Sequence, residues 1–334
     1  MKARVLVILS ILALLASAVQ AGAATRLRYA NFPAAETFPC IAMERWAKEM
    51  RAKLGTKIEI QTFPGGTLLD AKNMVRGVMQ GQADIGCISL AYHPGAYPLL
   101  SAFELPLGFS SAEAASAALW DLQQKYQPAE TSKVKVIALF TSAPSQIMST
   151  KPLRNAADIK GLTLRSAGVL ADVAESMGAR PVSMPQSDAP EALQKGMVQG
   201  VFSSLDVLKD YNFAESCRHG LIVNSSLYPF MVFMNLKKWN SLPADVQETI
   251  MALGREHSVW TGSYVDKHGQ EARAWANETY GAVLDELSNE ELAALRAMSA
   301  PVVEAWKKKA EAKGVQAQEV LDDIMAAKAS LEGN

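Results

Sequence analysis

Between residues 26 and 90 the spacing of apolar positions changes period four times. Arg26 to Ala30 reads as a strand. From Thr37 to Leu54, Met43, Trp46, Ala47, Met50 and Leu54 recur at the 3.6-residue spacing of a helix that Gly55 closes. Lys57 to Phe63 alternates like a strand, with Ile58 and Ile60 on one face, and Pro64-Gly65-Gly66 is a turn. The spacing predicts a helix over 70–80, ended by Gly81, and a buried strand over 84–90. Strand–helix–strand–helix–strand winding calls for a mostly parallel sheet. After a helix over 112–126 the pattern restarts, with strands over 133–140, 162–165, 180–183 and 197–202. Helices over 169–177, up to Lys195 and over 205–213 separate the later strands. A continuous apolar strand, 229–235, returns the chain between the two units. From Pro243 onward the chain reads as helical to its end. Val246, Ile250, Leu253, His257, Trp260, Tyr264 and Trp275 lie near one stripe, which Gly254, Gly262 and Gly269 weaken. Two further amphipathic helices are expected over 289–313 and 316–330. The run Gly77-Val78-Met79-Gln80-Gly81 is echoed by Gly196-Met197-Val198-Gln199-Gly200. Paired units of this kind place a cleft at the carboxyl ends of two sets of strands.

The N-terminus bears on compartment. Lys2 and Arg4 precede an apolar run, Val5 to Ala16, that is short for a membrane span. Ala21-Gly22-Ala23 supplies small residues for cleavage, so residues 1–24 read as a secretory signal peptide. Losing its two basic residues would take the net charge from −1 to −3. With 33 Lys and Arg against 34 Asp and Glu, no basic excess points to a nucleic-acid partner. Cys40, Cys87 and Cys217 are too far apart for a zinc or thioredoxin-like motif, and buried free thiols are expected over a disulfide. G-x-S-x-G, G-x-G-x-x-G, the P-loop and H-E-x-x-H are all absent from the sequence. His257 is expected in the core and His268 on the surface, and no metal or cofactor is expected.

One stretch carries a longer signature. Gly161-Leu162-Thr163-Leu164-Arg165 is followed by Gly178-Ala179-Arg180-Pro181-Val182-Ser183-Met184-Pro185, then by Glu191-Ala192-Leu193-Gln194-Lys195-Gly196-Met197-Val198-Gln199-Gly200. This resembles the central signature of TRAP-transporter solute-binding proteins of the C4-dicarboxylate-receptor type. Phe63-Pro64-Gly65-Gly66-Thr67-Leu68-Leu69-Asp70, Gly81-Gln82-Ala83-Asp84-Ile85 and Asn235-Leu236-Lys237-Lys238-Trp239-Asn240-Ser241-Leu242-Pro243 resemble further family segments, in order. The resemblance implies an α/β, two-lobed, periplasmic-binding-protein-like fold with mixed sheets and a helical C-terminal region. The expected division is a first lobe over 25–140, a second over 141–235, and helices over 236–334 packing across both. It also implies a monomeric periplasmic receptor, not an enzyme, that delivers a small organic anion to the membrane subunits of a TRAP transporter.

Family members hold the substrate carboxylate with the arginine of the G-L-x-L-R run, here Arg165. A guanidinium forks onto a planar anion and stays charged when desolvated. Acidic-sugar-binding relatives place a second arginine twenty residues earlier, where this chain has Ser145. Where many relatives carry Asn-Pro after the Gly-initiated strand, Phe202-Ser203-Ser204 stands, with Ser203 in place of the asparagine. Position also puts Ser89, Phe32 and Asp70 near the cleft, with Tyr228 and Phe230 from a strand-entry loop. Three ligand readings follow. The first is a small carboxylate, or a small sulfonate such as isethionate. The second is an aromatic or apolar carboxylate held by Phe32, Phe202 and Tyr228. The third, of another class, is a secreted α/β enzyme.

Overall fold

The computed structural model describes residues 24–333. The expected signal peptide lies outside these residues, apart from Ala24. Eleven strands form two sheets among the described residues: β1 (Thr25–Ala30), β2 (Ile58–Phe63), β3 (Ile85–Ser89), β4 (Val134–Thr141), β5 (Gln146–Ser149), β6 (Thr163–Ser166), β7 (Arg180–Ser183), β8 (Gly200–Ser203), β9 (His219–Ile222), β10 (Pro229–Asn235) and β11 (Val283–Glu286). The first sheet runs β2-β1-β3-β10-β4 and the second β11-β9-β5-β8-β6-β7. β1 is parallel to β2 and β3, as β6 is to β7 and β8, whereas β10 and β5 run antiparallel to their neighbours. The chain is therefore α/β with mixed sheets. The lobes exchange strands: β4 leads into β5, and β10 brings the chain back.

Two placements differ from the sequence reading. The strand over 229–235 falls on the second-lobe side of the expected boundary at 235, but as β10 it sits inside the first sheet, between β3 and β4. Its unbroken apolar run, Phe230 to Met234, suits a central strand covered on both faces. β11, within the stretch expected to be wholly helical, adds an edge to the second sheet, parallel to β9. Four-residue strands such as β5, β9 and β11 are too short for alternation to show.

The longer helices are α1 (Phe38–Leu54), α2 (Ala112–Tyr126), α3 (Val169–Ser176), α4 (Ala244–Tyr280), α5 (Asn289–Met298), α6 (Ala300–Glu311) and α7 (Ala317–Glu332). α5 and α6 occupy the single helix expected over 289–313. The break falls at Ser299, with Pro301 in the first turn of α6, where its missing N–H is tolerated. The 37-residue α4 packs on α1, α2 and β4 of the first lobe and reaches the short helix Val207–Asp210 of the second. Its buried face sets Val246, Ile250, Leu253 and Val265 among small residues, with Trp260, Tyr264 and Trp275 at the edges. A Cβ at Gly254 would lie 2.2 Å from Trp120 Cη2, and one at Gly262 2.4 Å from the Ala112 carbonyl oxygen. Two of the glycines expected to weaken α4, Gly254 and Gly262, thus let α2 lie against it. Asp266 of α4 accepts the Ala112 and Glu113 N–H groups at 2.9 and 3.0 Å, capping α2. Cys40, Cys87 and Cys217 are buried and unpaired.

His257 is buried between α4 and α1, with Nδ1 3.5 Å from Arg45 Nη1. Burial, and then the Arg45 cation, pushes its pKa from 6.5 down to about 3. The unfolded chain takes up this proton at a higher pH than the folded chain. Stability is therefore lost as pH falls below 6.5 toward the folded value. At pH 5 the cost is about 2 kcal/mol. Melting curves at neutral pH and at pH 5 should show His257→Gln losing less stability over that interval than the parent chain. His268, expected on the surface, is instead largely covered, with Nε2 2.6 Å from Asp210 Oδ1.

Candidate functional site

The two sheets direct the carboxyl ends of their parallel strands into one cleft. Phe32 and Pro33 follow β1, Ser89 ends β3 and Tyr92 follows it. Arg165 lies on β6, Gln186 follows β7, and Ser203, Ser204 and Asp206 end or follow β8. Tyr228 and Phe230 enter from the start of β10, which runs antiparallel and so begins at the same edge. The cleft is narrow, with a cavity volume of about 40 Å³. Its first-lobe wall is aromatic. Phe32 lies parallel to Phe230 at 6.4 Å and edge-on to Tyr92 at 5.5 Å, and Phe38 meets Phe230 edge-on at 5.3 Å.

Alternation along β6 sends Leu164 into the core and Arg165 toward the cleft, where it is 1% exposed. Its Nε and Nη2 donate to the Met184 carbonyl at 3.0 and 2.8 Å. Nη2 also donates to Tyr92 Oη at 3.2 Å, and Nη1 to Gln186 Oε1. The guanidinium carbon lies 5.7 Å from the centre of the Tyr228 ring. No carboxylate forms an ion pair with Arg165 among the described residues. A buried cation without an acidic partner is costly unless an anion meets it. Buried Ser89 Oγ, Gln186 Nε2 and Asp206 Oδ1 also lack hydrogen-bond partners within the protein.

Tyr92 and Glu104 both join the lobes at this cleft. Tyr92 Oη, from the first lobe, accepts Gln186 N–H at 3.0 Å as well as Arg165 Nη2. With both lone pairs engaged, its own proton remains available to donate. On the flank, Glu104 Oε2 of the first lobe accepts Val169 N–H, at the start of α3, at 2.7 Å. Burial pushes the Glu104 pKa up to about 8 despite that bond. Gly168 lies beneath it at φ 59°, ψ −144°.

Of the sequence-derived candidates, Arg165, Ser203, Ser89, Phe32, Tyr228 and Phe230 line the cleft. Three do not. Phe202 points from the opposite face of β8 into the core, and its carbonyl accepts Tyr228 Oη at 3.1 Å. Ser145 lies in the crossover between β4 and β5, where its backbone bonds Ser225 and Ser226. Asp70 is exposed on another groove. Its carboxylate accepts the Lys72 and Asn73 N–H groups and Asn73 Nδ2, which holds the turn before the short helix Met74–Met79 and lowers its pKa. The sequence reading missed Tyr92, Gln186 and Asp206. Each stands three residues beyond the last residue of β3, β7 or β8, so applying the strand-end rule strand by strand would have reached them.

The description "Bacterial extracellular solute-binding protein, family 7" matches residues 29–309. The chain belongs to that family. Family 7 includes the TRAP-transporter solute-binding proteins. One solved member is a TRAP periplasmic solute-binding protein of Desulfovibrio salexigens, 53% identical to this chain, with a TM-score of 0.84 over 92% of this chain and 97% of its own. It was solved as an open complex with the C-terminus of a symmetry mate in its ligand-binding site. A marine-metagenome TRAP solute-binding protein specific for aromatic acids, bound to 3-hydroxybenzoate, is 26% identical, with a TM-score of 0.87 over 92% of this chain and 99% of its own. The C4-dicarboxylate-binding periplasmic protein DctP of Vibrio cholerae is 23% identical over 73% of this chain and 74% of its own. The two-lobed architecture and C-terminal helices are those of family 7. Among the described residues, no helix is long and apolar enough to cross a membrane.

Proposed function

We propose that this family 7 protein is the periplasmic receptor of a TRAP transporter. It captures one small organic acid between its lobes and presents it to the transporter's membrane subunits. The observation that carries the reading is Arg165, a buried cation in the cleft with no acidic partner. In this reading the ligand carboxylate takes Arg165, with the Tyr92 hydroxyl, Gln186 Nε2 and the Ser89 and Ser203 hydroxyls as further donors. The body of the acid lies among Phe32, Phe38, Tyr211, Tyr228 and Phe230. That aromatic wall favours an aromatic or apolar carboxylate over a two-carbon sulfonate such as isethionate, which has little apolar surface to bury. The 26%-identical receptor specific for aromatic acids supports the same choice. The protein acts as a monomer after its signal peptide is cleaved, and it binds its ligand without chemical change.

A thermal-shift screen over aromatic carboxylates, aliphatic carboxylates and sulfonates tests this. An acid at a hundredfold excess over its Kd stabilises the native state by about 2.7 kcal/mol. The expected hit is an aromatic or cyclic carboxylate, recovered unchanged after incubation. A response to isethionate alone would restore the small-sulfonate reading, and chemical conversion of the hit would favour a secreted enzyme. Small-angle scattering should show a smaller radius of gyration with the acid bound, because the inter-lobe contacts of Tyr92 and Glu104 form only when the lobes close.

A further inference from the structure

We infer that Asp206 sets the ligand class. It accepts a hydrogen bond from a hydroxyl or N–H group on the bound acid, so the receptor prefers acids bearing such a donor to the same skeletons without one. This rests on the organic-acid reading of the cleft and narrows it. Asp206 lines the cleft, is 2% exposed, and has no partner for Oδ1. It precedes the short helix Val207–Asp210, but its side chain does not cap that helix. The neighbouring imidazole, His268, is held by Asp210 at 2.6 Å. Arg165 does not pair with Asp206: four of its five N–H groups go to Met184, Gln186 and Tyr92, and one on Nη1 remains. Asp206 Oδ1 is therefore a buried acceptor with no donor among the described residues, in the cleft where Arg165 awaits an anion.

Both features have a cost, and one ligand relieves them together. A buried acceptor left unpaired is penalised. An anion brought beside a carboxylate is repelled unless a donor stands between them. A ligand whose carboxylate meets Arg165 and Gln186 Nε2, and whose hydroxyl or N–H meets Asp206 Oδ1, satisfies every one of these groups. A plain hydrocarbon acid leaves Asp206 unpaired. Burial and then the nearby Asp210 raise the Asp206 pKa to about 7, against the opposing pull of the Ser204 hydroxyl and of His268.

Calorimetric titration with three matched pairs tests the inference: benzoate and 3-hydroxybenzoate, phenylacetate and mandelate, cyclopentanecarboxylate and pyroglutamate. In at least one pair the donor-bearing acid should bind about tenfold to a hundredfold more tightly, the worth of a hydrogen bond to a charged group. Asp206→Ala should erase that preference, bringing the affinity ratio within the pair close to one. Asp206→Asn, nearly isosteric, should cut the preference to a third or less, and it carries the test if the alanine variant fails to fold. A purely structural role would change the melting temperature and leave the ratio within each pair intact. Binding without preference in the parent chain, or a preference unchanged in both variants, overturns the inference and spares the organic-acid reading. If none of the six acids binds, that reading and the inference fall together.

Discussion

Arg165→Ala lowers the affinity for the bound acid by about 30-fold to several thousand-fold. The anion leaves water to enter a cleft whose polar walls are largely buried, and Arg165 is the cation it meets there. Removing one member of a desolvated, hydrogen-bonded charge pair costs roughly 2–5 kcal/mol, which is that range of Kd. Arg165→Lys keeps the charge but loses the planar fork, so it recovers only part of the loss. The guanidinium also donates to Met184, Gln186 and Tyr92, so the alanine variant leaves the Met184 carbonyl and Gln186 Oε1 without that donor. The ligand-free protein should therefore lose about 1–3 kcal/mol of stability and still fold. Titration calorimetry well below the variant's melting temperature separates the two effects. A loss of affinity under threefold would remove Arg165 from the site.

The second large effect is expected at Gly168, which packs tightly against the first lobe. A Cβ there would stand 2.2 Å from Glu104 Oε2 and 2.8 Å from Ala91 Cα. Both are first-lobe atoms, and Ala91 is backbone that cannot swing aside. At φ 59°, ψ −144°, the backbone also lies in a region that side chains avoid, at a cost of about 1–3 kcal/mol. The steric part vanishes when the lobes separate, so Gly168→Ala should oppose closure and weaken binding by about tenfold to a hundredfold. Gly161→Ala is the control. Gly161 also has a positive φ, 77°, but a Cβ there meets nothing within 4 Å. That variant should lower the melting temperature yet hold affinity within about threefold, since its strain is the same in open and closed forms. Equal losses of affinity in both variants would show that backbone strain, not the inter-lobe contact, governs binding.

The long-period features of the fold were legible in the sequence, because periodicity needs length to show. The apolar spacing of α1 and α2 and the runs of β3, β4 and β10 gave those elements to within a few residues, and that of α4 gave its start but not its end. β5, β9 and β11 were not legible. At four residues each, they are strands because of what they pair with. Arg165 was reached through a motif, since nothing in its residue type separates a ligand-binding arginine from one closing a strand end. Phe202 and Ser203 show the limit of reading by position. They are neighbours in sequence, yet the pleat of β8 sends one to the core and the other to the cleft. Asp70 was carried into the site by its motif, but the turn that follows β2 leads away from the strand ends. Tyr92, Gln186 and Asp206 sit on loops whose course is set by tertiary packing, and only the strand-end rule connects them.

A crystal structure of the protein with the acid that gives the largest thermal shift tests the central claim most directly. The account predicts a carboxylate within hydrogen-bonding distance of the Arg165 guanidinium, between closed lobes and among Phe32, Tyr228 and Phe230. An acid seated elsewhere would contradict it. The clearest such case would be the cavity of about 260 Å³ lined by His93, Ser101, Glu104 and Trp306, with Arg165 still bonded only to Met184, Gln186 and Tyr92.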